Sequence, residues 1–148
     1  MSTVLQVVAG ALLRDGEVLI AERPAGSHLA GRWEFPGGKI AAGETDSEAL
    51  ARELREELDV QIHVAVHLMT LRHDYPDRSV ELRLYVVEGF DGEPRGLDGQ
   101  RLKWVPMAQL GAQDILEADR PFIDALQQRF SAPAGSRTRT GSGKIAAL

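Results

Sequence analysis

Cysteine is absent from this 148-residue chain, which excludes disulfides, thiolate zinc sites and a cysteine nucleophile and fits a reducing compartment such as the cytoplasm. Long apolar runs are missing as well. The amino-terminal VLQVVAGALL is too short to span a bilayer and has no basic segment before it, so it reads as a buried strand rather than a membrane helix or secretory signal. There is no basic surplus: a formal net charge of -5 argues against stable binding to nucleic acid, which needs a positive surface. An anionic ligand must therefore be met by cations or by a few placed arginines. No internal repeat is visible. Gly141-Ser142-Gly143-Lys144 is not a phosphate loop, because the earlier glycine, the following hydroxyl residue and a preceding strand are lacking.

What is present is enough for one ordinary domain, since 43% of the residues are apolar and the length suits a single core. The domain is expected over residues 1–130, followed by a small, polar, partly basic tail over 131–148 that is expected to be flexible. Val4 to Leu13 and Val18 to Ala21 flank the turn signal Arg14-Asp15-Gly16 and predict a β-hairpin. Gly26 to Gly43 is glycine-rich around Trp33 and Phe35, and predicts a loop with special backbone angles. Thr45 with Glu48 forms a capping-box signature, and Leu50, Leu54 and Leu58 follow at helical spacing, so a helix is expected over Asp46 to Leu58. Ile62 to Leu71 and Val80 to Val87 are strand-like, with Asp74 to Arg78 as a loop between them. A second loop, Phe90 to Gly99, leads to a short strand, Leu102 to Val105. A closing helix over Pro121 to Phe130 follows, with Asp119 placed as its N-cap.

The helix over Asp46 to Leu58 carries the chemistry. At roughly 100° per residue its leucines share one side, while Glu53, Glu56 and Glu57 share the adjoining face. Like charges four residues apart destabilise an isolated helix by roughly 0.2–0.5 kcal/mol, and a cation between them reverses that sign. A solvated charged face is the plain alternative, because Arg52 can pair with Glu48 or Glu56 at i,i+4 spacing. The glycine-rich loop just before the helix adds hard oxygen donors, the carbonyls of Gly37 and Gly38, which suit Mg²⁺ or Mn²⁺.

GGKIAAGE followed by REL, Arg55 and EEL resembles the signature of the Nudix hydrolase family. The matching residues are Gly38, Glu44, Arg52, Glu53, Leu54, Glu56 and Glu57, closing with Val60. One position departs: the family has glycine where this chain has Asp59, and that glycine ends the helix in a left-handed turn, which aspartate fills at some cost. ERPAGSHLAGRWEFPGGK, the YPDR loop, GEPRG and WVP extend the likeness, to the MutT branch, over about residues 3 to 130. The resemblance implies an α/β (α+β) Nudix fold, a mixed β-sheet between helices. It implies a metal site of Gly37, Gly38, Glu53, Glu56 and Glu57 holding Mg²⁺, with Mn²⁺ able to substitute.

The same resemblance implies hydrolysis of a nucleoside triphosphate to monophosphate and pyrophosphate, by attack at the β-phosphorus. In it Arg52 orients the glutamates, Glu44 anchors the loop or binds an outer metal, and Glu53 or Asp98 is the general base. Asp98-Gly99 is also a turn signal by itself. Lys39 and Arg23 are candidates to meet phosphates. A base cleft is implied by the backbone around Phe35, with His28, Arg78 and the start of the last helix. The Phe35 ring and a lone histidine, taken without the resemblance, read as core and surface residues.

Asp119 stands where the MutT pattern has asparagine, and an ionised aspartate only accepts hydrogen bonds. Three functions follow: hydrolysis of 8-oxo-dGTP, hydrolysis of CTP, dCTP or 5-methyl-dCTP, or a domain that binds nucleotides without cutting them. The expected partner is the nucleotide alone, with no membrane and no stable nucleic acid, on a monomer or weak homodimer.

Overall fold

The computed structural model describes residues 4–130, so the expectations for the tail lie outside the described residues. Strands β1 (Val4–Arg14) and β2 (Glu17–Glu22) join through Asp15 and Gly16, both at positive φ, the backbone that a tight hairpin needs. The strands then part. β1 pairs with β4 (Gly37–Lys39) and, in parallel, with β6 (Arg78–Asp91), whereas β2 pairs with β3 (Trp33–Glu34) and β7 (Leu102–Pro106). β5 (Gln61–Tyr75) closes the edge antiparallel to β6. One parallel pairing among antiparallel ones makes this seven-stranded sheet mixed, as expected.

Side chains alternate across the strands and fill a core on each face. Val8, Leu12, Leu19 and Val87 pack with Ala49, Leu50, Leu54 and Leu58 of helix α1 (Asp46–Leu58). Their neighbours Ala9, Ala11, Ile20 and Val86 pack on the other face with Phe122, Ile123 and Leu126 of helix α2 (Arg120–Phe130). The sheet thus lies between two helices. The described helices include none long and apolar enough to cross a membrane.

Three sequence expectations are corrected. Asp74 to Arg78 is not a loop: β5 runs to Tyr75 and β6 starts at Arg78, leaving only Pro76 and Asp77 as the turn. The glycine-rich segment holds two short strands, β3 and β4, because its backbone reaches along β2 and β1. Phe90 and Asp91 belong to β6 rather than to the following loop.

Candidate active site

Helix α1 is fixed at its start by a complete capping box: the Thr45 hydroxyl accepts from the Glu48 N–H at 3.1 Å, and the Glu48 carboxylate accepts from the Thr45 N–H at 2.9 Å. With its leucine face buried on the sheet, the Glu53, Glu56 and Glu57 edge is turned toward β4. Arg52 is the hub of this edge. It grips Glu44 with two nitrogens, at 2.6 and 2.9 Å, and donates to Glu53 at 3.1 Å, to Glu56 at 3.3 Å and to the Lys39 carbonyl at 3.1 Å. Glu44 also accepts from the Ala41 N–H at 2.8 Å, so its carboxylate joins loop to helix. The Arg52 hydrogen bonds, with that of Ala41, hold Glu44 down at about 2. Of the plain i,i+4 pairs, Arg52 makes the one with Glu56 and leaves Glu48 to the cap.

Glu57 lies deeper. Burial pushes its carboxyl up to about 8, the charges of Glu53, Glu34 and Asp98 add to the shift, and a hydrogen bond from the Gly37 N–H opposes it. Glu53 packs against Gly38, where a Cβ would overlap its carboxyl group. Among the described residues no three acidic or histidine side chains already converge on one point, since Arg52 holds Glu53 and Glu56 on its own nitrogens. The donors are nonetheless hard oxygens crowded on one edge, and among the described residues no Lys or Arg pairs with the desolvated Glu57. That set fits a divalent ion once the glutamates turn from Arg52.

A cavity of about 310 Å³ runs along β1 from Glu57, Gly37 and Gly38 to Arg23, Phe35 and Asp119. A second, of about 460 Å³, shares Arg23 and Tyr75 with it and brings in His28 and Arg78. Lys39 and Asp98 are exposed and line neither cavity. The Phe35 ring is in the core, 6.3 Å from Phe122, and its backbone N–H is turned to Asp119. The side chain of Asp119 does not act as the expected helix cap: it is 5% exposed, ends a 3-10 turn, and accepts from the Phe35 N–H at 3.2 Å. Burial pushes its carboxyl up to about 7. Arg23 is not a free cation for phosphate, because it donates to Glu34 at 2.9 Å and to the His28 carbonyl at 2.6 Å.

Sequence reasoning missed Glu34. It lines the cavity between Glu57 and Asp119, and burial raises its carboxyl despite Arg23. Alternation carried the signal: Trp33 and Phe35 are buried in one core, so Glu34 between them faces the opposite way.

The comparisons agree with this geometry. The NUDIX domain model matches residues 8–125. The chain is 37% identical to the 8-oxo-dGTP diphosphatase of Escherichia coli, with 84% of this chain and 97% of that one covered. It is 35% identical to the CTP pyrophosphohydrolase of the same organism, with 88% and 97% covered. The solution structure of the E. coli ORF135 protein superposes with a TM-score of 0.81 at 32% identity, over 91% of this chain and 96% of that one. With the box glutamates on one helix edge, the expected sheet between helices and relatives matched along nearly their full length, this chain belongs to the Nudix hydrolase family.

Proposed function

We propose that this chain hydrolyses nucleoside triphosphates to the monophosphate and pyrophosphate, with oxidised guanine nucleotides such as 8-oxo-dGTP as principal substrate. The observation that carries this reading is the cavity joining the Glu57 end of the box helix to the buried Asp119. One end suits polyphosphate with its counterions and the other suits a base. Glu53, Glu56 and Glu57, with the Gly37 and Gly38 carbonyls, would hold Mg²⁺ or Mn²⁺, which when bound screens the phosphates and acidifies water. Glu53 takes the proton of the attacking water, Asp98 being the other candidate, and Arg52, which stays on Glu44 when Glu53 and Glu56 turn to the ion, orients the helix edge that carries them. Lys39, exposed next to Gly38 at the rim of the cavity, meets the phosphates from outside it. Arg23 and Glu34 form the wall between phosphate and base. A free nucleotide substrate and a chain without cysteine support a cytoplasmic location. Pyrophosphate release from a panel of triphosphates tests the reading, and no Mg²⁺-dependent release from any of them would end it.

Glu57 gives this site a pH signature. Its carboxyl moves from 4.5 to about 8 on folding, so its contribution to stability is fully present below 4.5 and is lost as pH rises through 8. Without metal, the melting temperature is expected to fall between about pH 5 and 8. Added Mg²⁺ favours the ionised carboxylate, so its stabilisation should grow over the same window, with release of about one proton per ion near neutrality. Calorimetry in two buffers of different ionisation enthalpy reads that proton, and Glu57→Gln should remove it.

Asp119 favours a second reading, hydrolysis of CTP or dCTP. As a buried carboxylate it accepts from the exocyclic amine of cytosine, whereas only its protonated form can donate to a purine O6. With the carboxyl at about 7, both forms lie within the working pH range. The ratio of kcat/KM for 8-oxo-dGTP over dCTP is expected to drop by about tenfold from pH 6 to 8.5. Asp119→Asn, which donates and accepts at every pH, should flatten that profile. A ratio that does not move with pH in the native protein would show that Asp119 does not read the base.

A further inference from the structure

Asp59 occupies the position where the family pattern has glycine, and its backbone is in the left-handed region at φ 61. Glycine adopts that conformation freely and aspartate does so under strain, so the side chain needs a reason to be there. It has one: the Asp59 carboxylate pairs with Arg95 at 2.6 Å, across to the loop over residues 92–100. The backbone of this loop closes the end of α1. The Arg95 N–H donates to the Leu58 carbonyl at 3.0 Å, and the Leu97 N–H donates to the Glu57 carbonyl at 3.0 Å. Gln100 reaches the same Glu57 carbonyl at 3.3 Å with its amide nitrogen, while its amide oxygen accepts from the Asp98 N–H at 2.9 Å. Gly96 makes the fold-back possible, because a Cβ there would overlap the Gln100 carbonyl.

We propose that Asp59 and Arg95 form a latch that holds this loop on the end of the glutamate helix, so that Asp98 is placed beside Glu57 instead of moving as a free surface acid. Elsewhere the loop is held by Arg14 of β1, which pairs with Glu93 at 2.8 Å, and by Gln100 on the Glu57 carbonyl. Ahead of Asp98 its other ties to the helix end are backbone bonds, where fraying is easiest, and the Asp59–Arg95 pair is the charged contact there. Asp98 is one bond shorter than the glutamate of the MutT pattern and has less reach of its own, so the placement of its backbone matters more. Both members are positioning residues. The inference rests on the role given to Asp98 above.

The test separates placement from stability. Asp59→Gly relieves the left-handed backbone and removes the latch, so the melting temperature should stay level or rise by about 3 °C. Amide exchange at Leu97 and Asp98 should quicken by about fivefold or more, and kcat with saturating Mg²⁺ should fall by about threefold. Arg95→Ala removes the latch without relieving the backbone, and should reproduce the faster exchange with no gain in melting temperature. In an Asp98→Ala background, Asp59→Gly should leave kcat where it was. Unchanged exchange in both single variants would overturn the latch, as would an equal loss of kcat with and without Asp98. If Asp98→Ala alone were as active as the native protein, the role of Asp98 would fail, and the exchange rates would still decide whether the latch exists.

Discussion

Glu53→Gln is expected to lower kcat by about a thousandfold while the protein stays folded and binds nucleotide. The substitution keeps the shape of a side chain that is 15% exposed and lies between Arg52 and Gly38, and removes only its charge. That charge acts on the fold and on the reaction. Toward the fold it acts both ways, since it accepts from Arg52 at 3.1 Å and is also the largest charge effect disfavouring ionised Glu57, so the metal-free variant should melt close to the native chain. Toward the reaction, in the function proposed above, it would be required twice, as a donor to the ion and as acceptor of the proton from water. Activity should therefore fall steeply with no matching loss of stability. Steady-state pyrophosphate release beside a thermal melt without metal checks both, and near-native turnover would remove the glutamate edge from the mechanism.

How much of this was legible beforehand depended on how local each determinant was. Helix α1 is fixed by residues within its own span, the Thr45–Glu48 box and three leucines at helical spacing, and its observed ends are those its sequence predicts. The β5–β6 turn was less legible, because Asp74, Tyr75, Pro76, Asp77 and Arg78 have loop composition while the ladder continues to Tyr75 and Arg78. The ladder itself is regular from Met69 to Tyr75, but β5 is an edge strand whose end is solvent-exposed, so its polar residues there carry no apolar alternation to mark them as strand.

The site divides along the same line. Glu44, Arg52, Glu53, Glu56 and Glu57 stand in one stretch of chain, and their mutual geometry follows from a helix and the loop before it. Asp119 could not be understood that way. Its partner is the Phe35 N–H, 84 residues away, so the local pattern suggested a helix cap where the fold provides a buried acceptor. Arg23 is a similar case: it looked free in sequence, and Glu34, brought alongside by β2–β3 pairing, takes it.

Gly38→Ala should cost about a hundredfold in kcat with only a small change in melting temperature, although the alanine carries no new chemistry. The added Cβ meets the carboxyl end of Glu53, a flexible group that can swing away toward solvent, so the fold can relieve the overlap cheaply. What it cannot do is leave Glu53 where it was. The carbonyl of residue 38 and every other box side chain remain, which makes the expected loss a measure of Glu53 placement alone. Gly111→Ala is the matched control, because a Cβ there has nothing within 4 Å. If the two changes at the site act through one group, the Gly38→Ala, Glu53→Gln double variant should be no slower than Glu53→Gln by itself. Additive losses would mean that Gly38 serves the reaction by another route, through its own carbonyl or the path of the phosphates along β4.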